Sequence, residues 1–149
     1  IGSDDLDVNN TAVLSPTADY LSEVDFAYRT RTGNKTKTTF ASKEDYDRLL
    51  AEQNGVKNNH FKESIEEIRT NKKAHFSMLK DGLKLSTIFS YKGWEAENIF
   101  LIIPRHSQYT AVEESPELIY TGLTRAKSNL YVINMSNAKY HNFFRTHLG

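Results

Sequence analysis

The sequence contains no cysteine, which excludes disulfides and thiolate metal sites and suits a reducing, cytoplasmic setting. It has no net charge either. Nineteen Lys and Arg balance nineteen Asp and Glu, so no overall field draws the chain to nucleic acid, although a local groove remains open to it. No apolar run approaches the roughly 20 residues of a membrane span, and no signal peptide is visible. The Asn-X-Ser/Thr triplets that begin at Asn9, Asn34 and Asn134 therefore read as chance matches to a glycosylation sequon. His60, His75, His106, His141 and His147 show no zinc spacing, and no metal site is expected. A G-x-x-x-x-G-K-[ST] loop is also missing, so nothing in the chain can cradle β- and γ-phosphates. No acidic pair follows a strand in a way that would hold Mg²⁺.

A chain of 149 residues has room for one domain with a real core. Residues 1–9 are polar and acidic and read as a flexible lead-in. "TAVLSP" is a short apolar strand stopped by Pro16. A helix follows from about Thr17 to Thr30, with Leu21, Val24 and Phe26 turned inward. "TGNKTKTTF" reads as a turn and a threonine-rich strand. Ser42 is placed to cap a helix over "KEDYDRLLAEQ" that ends at Gly55. "HFKESIEEIRTNKKAHFSML" makes a second helix with Phe61, Ile65, Ile68 and Phe76 on one stripe, broken by Asp81-Gly82. Beyond it, "LKLSTIF" alternates like a strand. "NIFLIIP" is continuously apolar, like a strand covered on both faces. "EESPELIYTGLTRAKS" reads as a helix, "NLYVIN" as a strand and "AKYHNFFRTHL" as a closing helix. Strands alternating with helices imply an α/β fold with a mostly parallel sheet of about five strands and helices on both faces.

Ligands of open α/β sheets bind beyond the carboxyl ends of the strands, and two such ends carry unusual residues. After "LKLSTIF" come Ser90, Lys92, Gly93 and Glu95. Thr87 and Ser90 offer hydroxyls, and Gly93 permits positive φ or a close backbone approach. Taken alone, the stretch reads as a βα turn with a solvated lysine and a capping glutamate. The second is "ELIYTGLTRAKSNLYVI", where Gly122, Thr124 and Arg125 interrupt an apolar run. A glycine inside a helix costs about 1 kcal/mol against alanine. A helical reading groups Ile119, Leu123 and Ala126 on one face and sends Arg125 off another. Alone, that arginine reads as a surface cation paired with Glu117 or Glu114.

Together the two stretches resemble motifs V and VI of the UvrD/Rep-like superfamily 1 DNA helicases. The family pattern is roughly T-x-H-x-x-K-G-L-E, an apolar strand, Y-V-x-x-T-R-A and another strand. Thr87, Lys92, Gly93 and Glu95 match the first motif; Tyr120, Thr124, Arg125 and Ala126 match the second. The resemblance covers about residues 83–134, and "TAVLSPT" looks like a further strand of the same domain. It implies the second, C-terminal RecA-like domain of a helicase, which closes ATP and Mg²⁺ against an N-terminal RecA-like domain. Arg125 would then be a catalytic arginine finger on the γ-phosphate. Glu95 would approach the ribose, and Gly93 would let the backbone come close. Thr87, Phe89 and Ser90 would face single-stranded DNA.

The sequence departs from the pattern at three places. Phe89 stands where the family has histidine, so a polar contact becomes base stacking or packing. Trp94 replaces a leucine and is open to the same two readings. Tyr91 replaces a small residue. Upf1-like helicases also carry T-R-A-K but expect Gln-Gly where Lys92-Gly93 stands here. The arginine-bearing motif that opens such domains is not evident, and there is little room for the large inserted subdomain of full UvrD proteins. A fragment that does not hydrolyse ATP alone is therefore expected. The competing expectation is a helicase-derived nucleic-acid or protein binding module without ATPase activity.

Overall fold

The computed structural model describes residues 6–105 and 116–147. Strands β1 (Thr11–Ser15), β2 (Thr36–Thr38), β3 (Leu83–Thr87), β4 (Ala96–Ile103) and β5 (Ala126–Asn134) form one sheet in the order β2-β3-β1-β4-β5. Every pairing is parallel. The helices are α1 (Asp19–Thr32), α2 (Lys43–Glu52), α3 (Asn59–His75), α4 (Pro116–Leu123) and α5 (Ala138–His147). This is the α/β architecture that the alternation of elements implied.

The two middle strands explain the apolar runs. Successive side chains of a strand point to opposite faces, and here both faces are covered. Ala12 and Leu14 of β1 and Ile99, Leu101 and Ile103 of β4 pack with Ile119 of α4 and Tyr140 of α5. Val13, Leu85 and Ile102 pack on the other side with Leu21 of α1. Burying each such aliphatic side chain contributes about 1.5–3 kcal/mol, so "NIFLIIP" lies inside the sheet between β1 and β5. A third cluster joins Leu49 of α2 to Phe61 and Ile65 of α3.

Local signals set most of the helix ends. The Ser42 hydroxyl accepts from the Asp45 amide at 3.1 Å, and the Asp45 carboxylate accepts from the Ser42 amide at 2.9 Å, which closes a capping box at the start of α2. Gly33, at φ 71°, ends α1.

Three expectations need correction. Phe26 is 38% exposed beneath the Lys43 ammonium, and its neighbour Asp25 is buried instead. That carboxylate accepts from Arg29 Nε at 3.1 Å and Nη2 at 2.9 Å, and from the Thr36 hydroxyl. Arg29 also reaches Glu44 at 2.7 Å, so one buried charge ties α1, β2 and α2 together. The second correction concerns α3, which stops at His75, ahead of Asp81-Gly82. Phe76 is extended, leaves the stripe of Phe61 and Ile65, and packs edge-on against Tyr91 and Trp94. Third, α4 ends at Leu123 and Ala126 already belongs to β5.

The described part of the N-terminal stretch makes local contacts from Asp7 onward. Val8–Asn10 form a 3₁₀ turn capped by the Asp7 carboxylate. The Asn9 side chain accepts from the Gly82 amide at 2.7 Å, and its carbonyl accepts from the Lys84 ammonium at 2.6 Å. Burial pushes that ammonium below its ordinary pKa, against the opposing charges of Asp81 and Asp7.

Candidate functional site

The residues singled out in the sequence gather at opposite ends of the sheet. Thr87, Phe89 and Ser90 lie at the carboxyl end of β3, where a 3₁₀ turn over Phe89–Tyr91 begins the crossover. Phe89 is 65% exposed, and the Lys92 ammonium sits 4.6 Å from its ring centroid, a favourable cation–π arrangement. Two buried hydroxyls that sequence reasoning missed support this end. Thr39 donates to Ser86 at 2.8 Å, and Ser86 donates to the Thr87 carbonyl at 2.8 Å. They carried no signal because their contact spans 47 positions.

Glu95 and Arg125 lie elsewhere. Each immediately precedes a strand, β4 and β5 respectively, so both sit at amino ends of the parallel sheet, not beyond carboxyl ends as the sequence suggested. The chain from Ile88 to Glu95 runs back along the sheet before β4 begins. Ala96 pairs with Ala126, and the Ala96 amide donates to the Arg125 carbonyl at 3.1 Å. Two residues thirty positions apart in the chain are thereby held side by side.

Arg125 is in the turn after α4. Its Nε donates to the Thr121 carbonyl and its Nη2 to the Thr124 hydroxyl, each at 3.2 Å. Among the described residues it has no carboxylate partner, and it does not pair with Glu117; Glu114 lies outside the described residues. A guanidinium held only by neutral acceptors keeps its charge available for an anion, and its donor fork matches phosphate geometry. Gly93 has φ 93° with open space where a Cβ would stand. That is the conformation which favours glycine, and it leaves the backbone approachable. Beside Gly93 and Glu95 lies a cavity of about 410 Å³, lined also by Trp94, Glu97 and Lys127 but not by Arg125. Trp94 is partly buried and its ring meets Phe76 edge-on at 6.1 Å, so it packs.

Gly122 has a structural explanation. A Cβ there would lie 3.0 Å from Leu101 Cδ1 and 3.2 Å from Ile88 Cδ1, so its absence lets α4 sit close to the sheet. A larger cavity of about 660 Å³ lies between α4 and α5. Its apolar walls, including Ile119, Leu123, Tyr140 and Phe143, suit neither phosphate nor ribose. Among the described residues, no three His, Cys, Asp or Glu side chains converge as a metal site would require. No helix among them is long and apolar enough to cross a membrane.

Comparison with known proteins falls on the same stretch. Residues 83–133 match the UvrD-like helicase C-terminal domain. No curated protein matches. Among solved structures, the chain is similar to the C-terminal domain of a possible DNA helicase from Lactobacillus plantarun WCFS1, at 15% identity and a TM-score of 0.49. The alignment covers 91% of this chain and 61% of that one. Over residues 83–133, the segment that holds Thr87, Glu95 and Arg125, the chain is similar to the UvrD-like helicases in their C-terminal domain.

Proposed function

We propose that this chain is the second RecA-like motor domain of an ATP-dependent DNA helicase or translocase, working with an N-terminal RecA-like domain and single-stranded DNA. The observation that carries the reading is the juxtaposition of Glu95 and Arg125 through the Ala96–Arg125 backbone hydrogen bond. A surface arginine and a capping glutamate have no reason to meet, whereas two groups serving one nucleotide must. When bound, ATP with Mg²⁺ supplies the phosphoryl group and the charge that neutralises it.

The chain's own part is positional. Arg125 carries a charged fork on a short turn, where it donates only to the neutral oxygens of Thr121 and Thr124 and stays free to turn to a phosphate. It acts chiefly when charge develops on the transferring phosphoryl group. Glu95 accepts from ribose hydroxyls, and Gly93 leaves room for the nucleotide. The other end of β3 offers the Thr87 and Ser90 hydroxyls to DNA phosphates and the exposed Phe89 ring to a base.

The test uses the full-length parent protein. Arg125→Ala should lower DNA-stimulated kcat by about 10³-fold or more while the KM for ATP changes little. Near-normal turnover in an active parent would sink the assignment. A parent with no phosphate-binding loop or acidic Mg²⁺ motif upstream would favour the binding module instead.

A further inference from the structure

Tyr91 is fully buried, yet its hydroxyl has no hydrogen-bond partner among the described residues. An orphaned polar atom in a native interior requires an explanation, because leaving it unpaired costs stability that phenylalanine would not lose. Its position suggests one. The ring packs in the cluster that holds Ala96, Leu123 and Ala126, the neighbours of Glu95 and Arg125 at the joint between β4 and β5. Arg125, meanwhile, is folded back on its own turn by two hydrogen bonds to neutral acceptors, a weak tether that a phosphate would outcompete. The charges of Arg125 and Glu95 both reach the phenol, the first favouring and the second opposing its ionised form, while burial dominates and keeps it protonated.

We propose that Tyr91 is a positioning residue for Arg125: its hydroxyl accepts from the guanidinium once Arg125 leaves Thr121 and Thr124 to meet the nucleotide. This rests on the proposed motor function. It explains why a large phenol stands where related helicases carry a small residue. Among the described residues the hydroxyl is unpaired because this is the resting arrangement, and the partner arrives when Arg125 turns to the nucleotide. Tyr91 touches no reacting atom; it limits where the arginine can go.

The experiment compares Tyr91→Phe, Arg125→Ala and the double variant in the full-length parent, following DNA-stimulated ATP hydrolysis and thermal unfolding. Tyr91→Phe should lower kcat roughly tenfold, as expected for one hydrogen bond to a charged group. KM for ATP should hold, and the unfolding midpoint should stay or rise. On the Arg125→Ala background the same change should have no further effect. Wild-type kcat in Tyr91→Phe, or an equal loss with and without Arg125, would overturn the positioning role while leaving the motor function intact. Full turnover in Arg125→Ala would instead remove the motor reading, and this inference with it.

Discussion

Glu95 and Arg125 stand at neighbouring strand ends because the Ala96 amide donates to the Arg125 carbonyl at 3.1 Å. That bond opens the parallel β4–β5 ladder, whose register shifts by one residue between Ala96 and Asn98 and then runs through Ile99–Leu130 and Leu101–Val132. The sheet that buries the core therefore also fixes the spacing of the two polar groups. A carboxylate and a guanidinium set on adjacent strand ends need no flexible loop to converge on one ligand.

Fork geometry should matter at Arg125 as much as charge. Arg125→Lys in the full-length parent should recover less than about a tenth of the turnover lost in Arg125→Ala, because a point charge cannot reproduce two parallel donors. Steady-state hydrolysis at saturating single-stranded DNA reads this directly. Full recovery by lysine would mean that only the charge counts.

The opposite end of the sheet should govern DNA affinity. Base stacking on an exposed ring is worth about 1–3 kcal/mol, so Phe89→Ala should weaken single-stranded DNA binding roughly tenfold or more. Because Phe89 is 65% exposed, the unfolding midpoint should not move. Thr87→Ala should reduce both binding and DNA stimulation of hydrolysis. Fluorescence anisotropy with a labelled oligonucleotide separates the outcomes. Unchanged affinity in both variants would place the DNA elsewhere.

Much of the fold was legible because the middles of β1 and β4 are covered on both faces and read as apolar runs, with polar residues confined to the strand ends. What stayed hidden was non-local. Asp25 turns inward only because Arg29, Thr36 and, through Arg29, Glu44 are there to receive it; a periodicity argument sees only a charge beside Phe26. Phe76 sits in helical register with Phe61 and Ile65, yet one extended residue after His75 sends it to a different cluster. The end of α4 was obscured because Ala126 suits a helical stripe with Ile119 and Leu123 as well as it suits a strand against Ala96. The candidate residues could be picked out by motif. That Glu95 and Arg125 come together was implied by the resemblance alone; periodicity and spacing could not show it, since it depends on β4–β5 pairing and on the backward run from Ile88 to Glu95.

Acid should remove a specific contribution at the start of α2. Burial works to raise the Asp45 carboxyl, but the Ser42 amide and the Lys72 ammonium outweigh it and hold the pKa below its ordinary value. The Lys72 contact is 3.1 Å. A group with a depressed folded pKa stabilises above its unfolded value, about 3.9 for aspartate, and loses that effect as pH falls through the lower folded value. Asp45→Asn should therefore destabilise the domain near pH 7, and the gap from wild type should close as pH drops below about 4. Urea unfolding at the two pH values tests this; an equal gap at both would show that the charge is irrelevant.

The glycine that interrupts the apolar run before Arg125 gives the last prediction. At Gly122 an added methyl would sit 3.0 Å from Leu101 Cδ1 and 3.2 Å from Ile88 Cδ1. Both are tips of flexible side chains, so alanine can be accommodated, and its helix preference of about 1 kcal/mol offsets the crowding. Gly122→Ala should stay close to wild type in stability. Valine brings two further methyls and a stiff χ1, and it should destabilise the domain by about 2 kcal/mol, within the range of overpacked cores. The strain should also reach the site. Lifting α4 from Leu101 and Ile88 displaces the turn after it, which carries Arg125. In the full-length parent, Gly122→Val should thus lower kcat at temperatures where the protein remains folded, whereas Gly122→Ala should not. Wild-type stability in Gly122→Val, measured by urea unfolding, would show that α4 does not need this close approach.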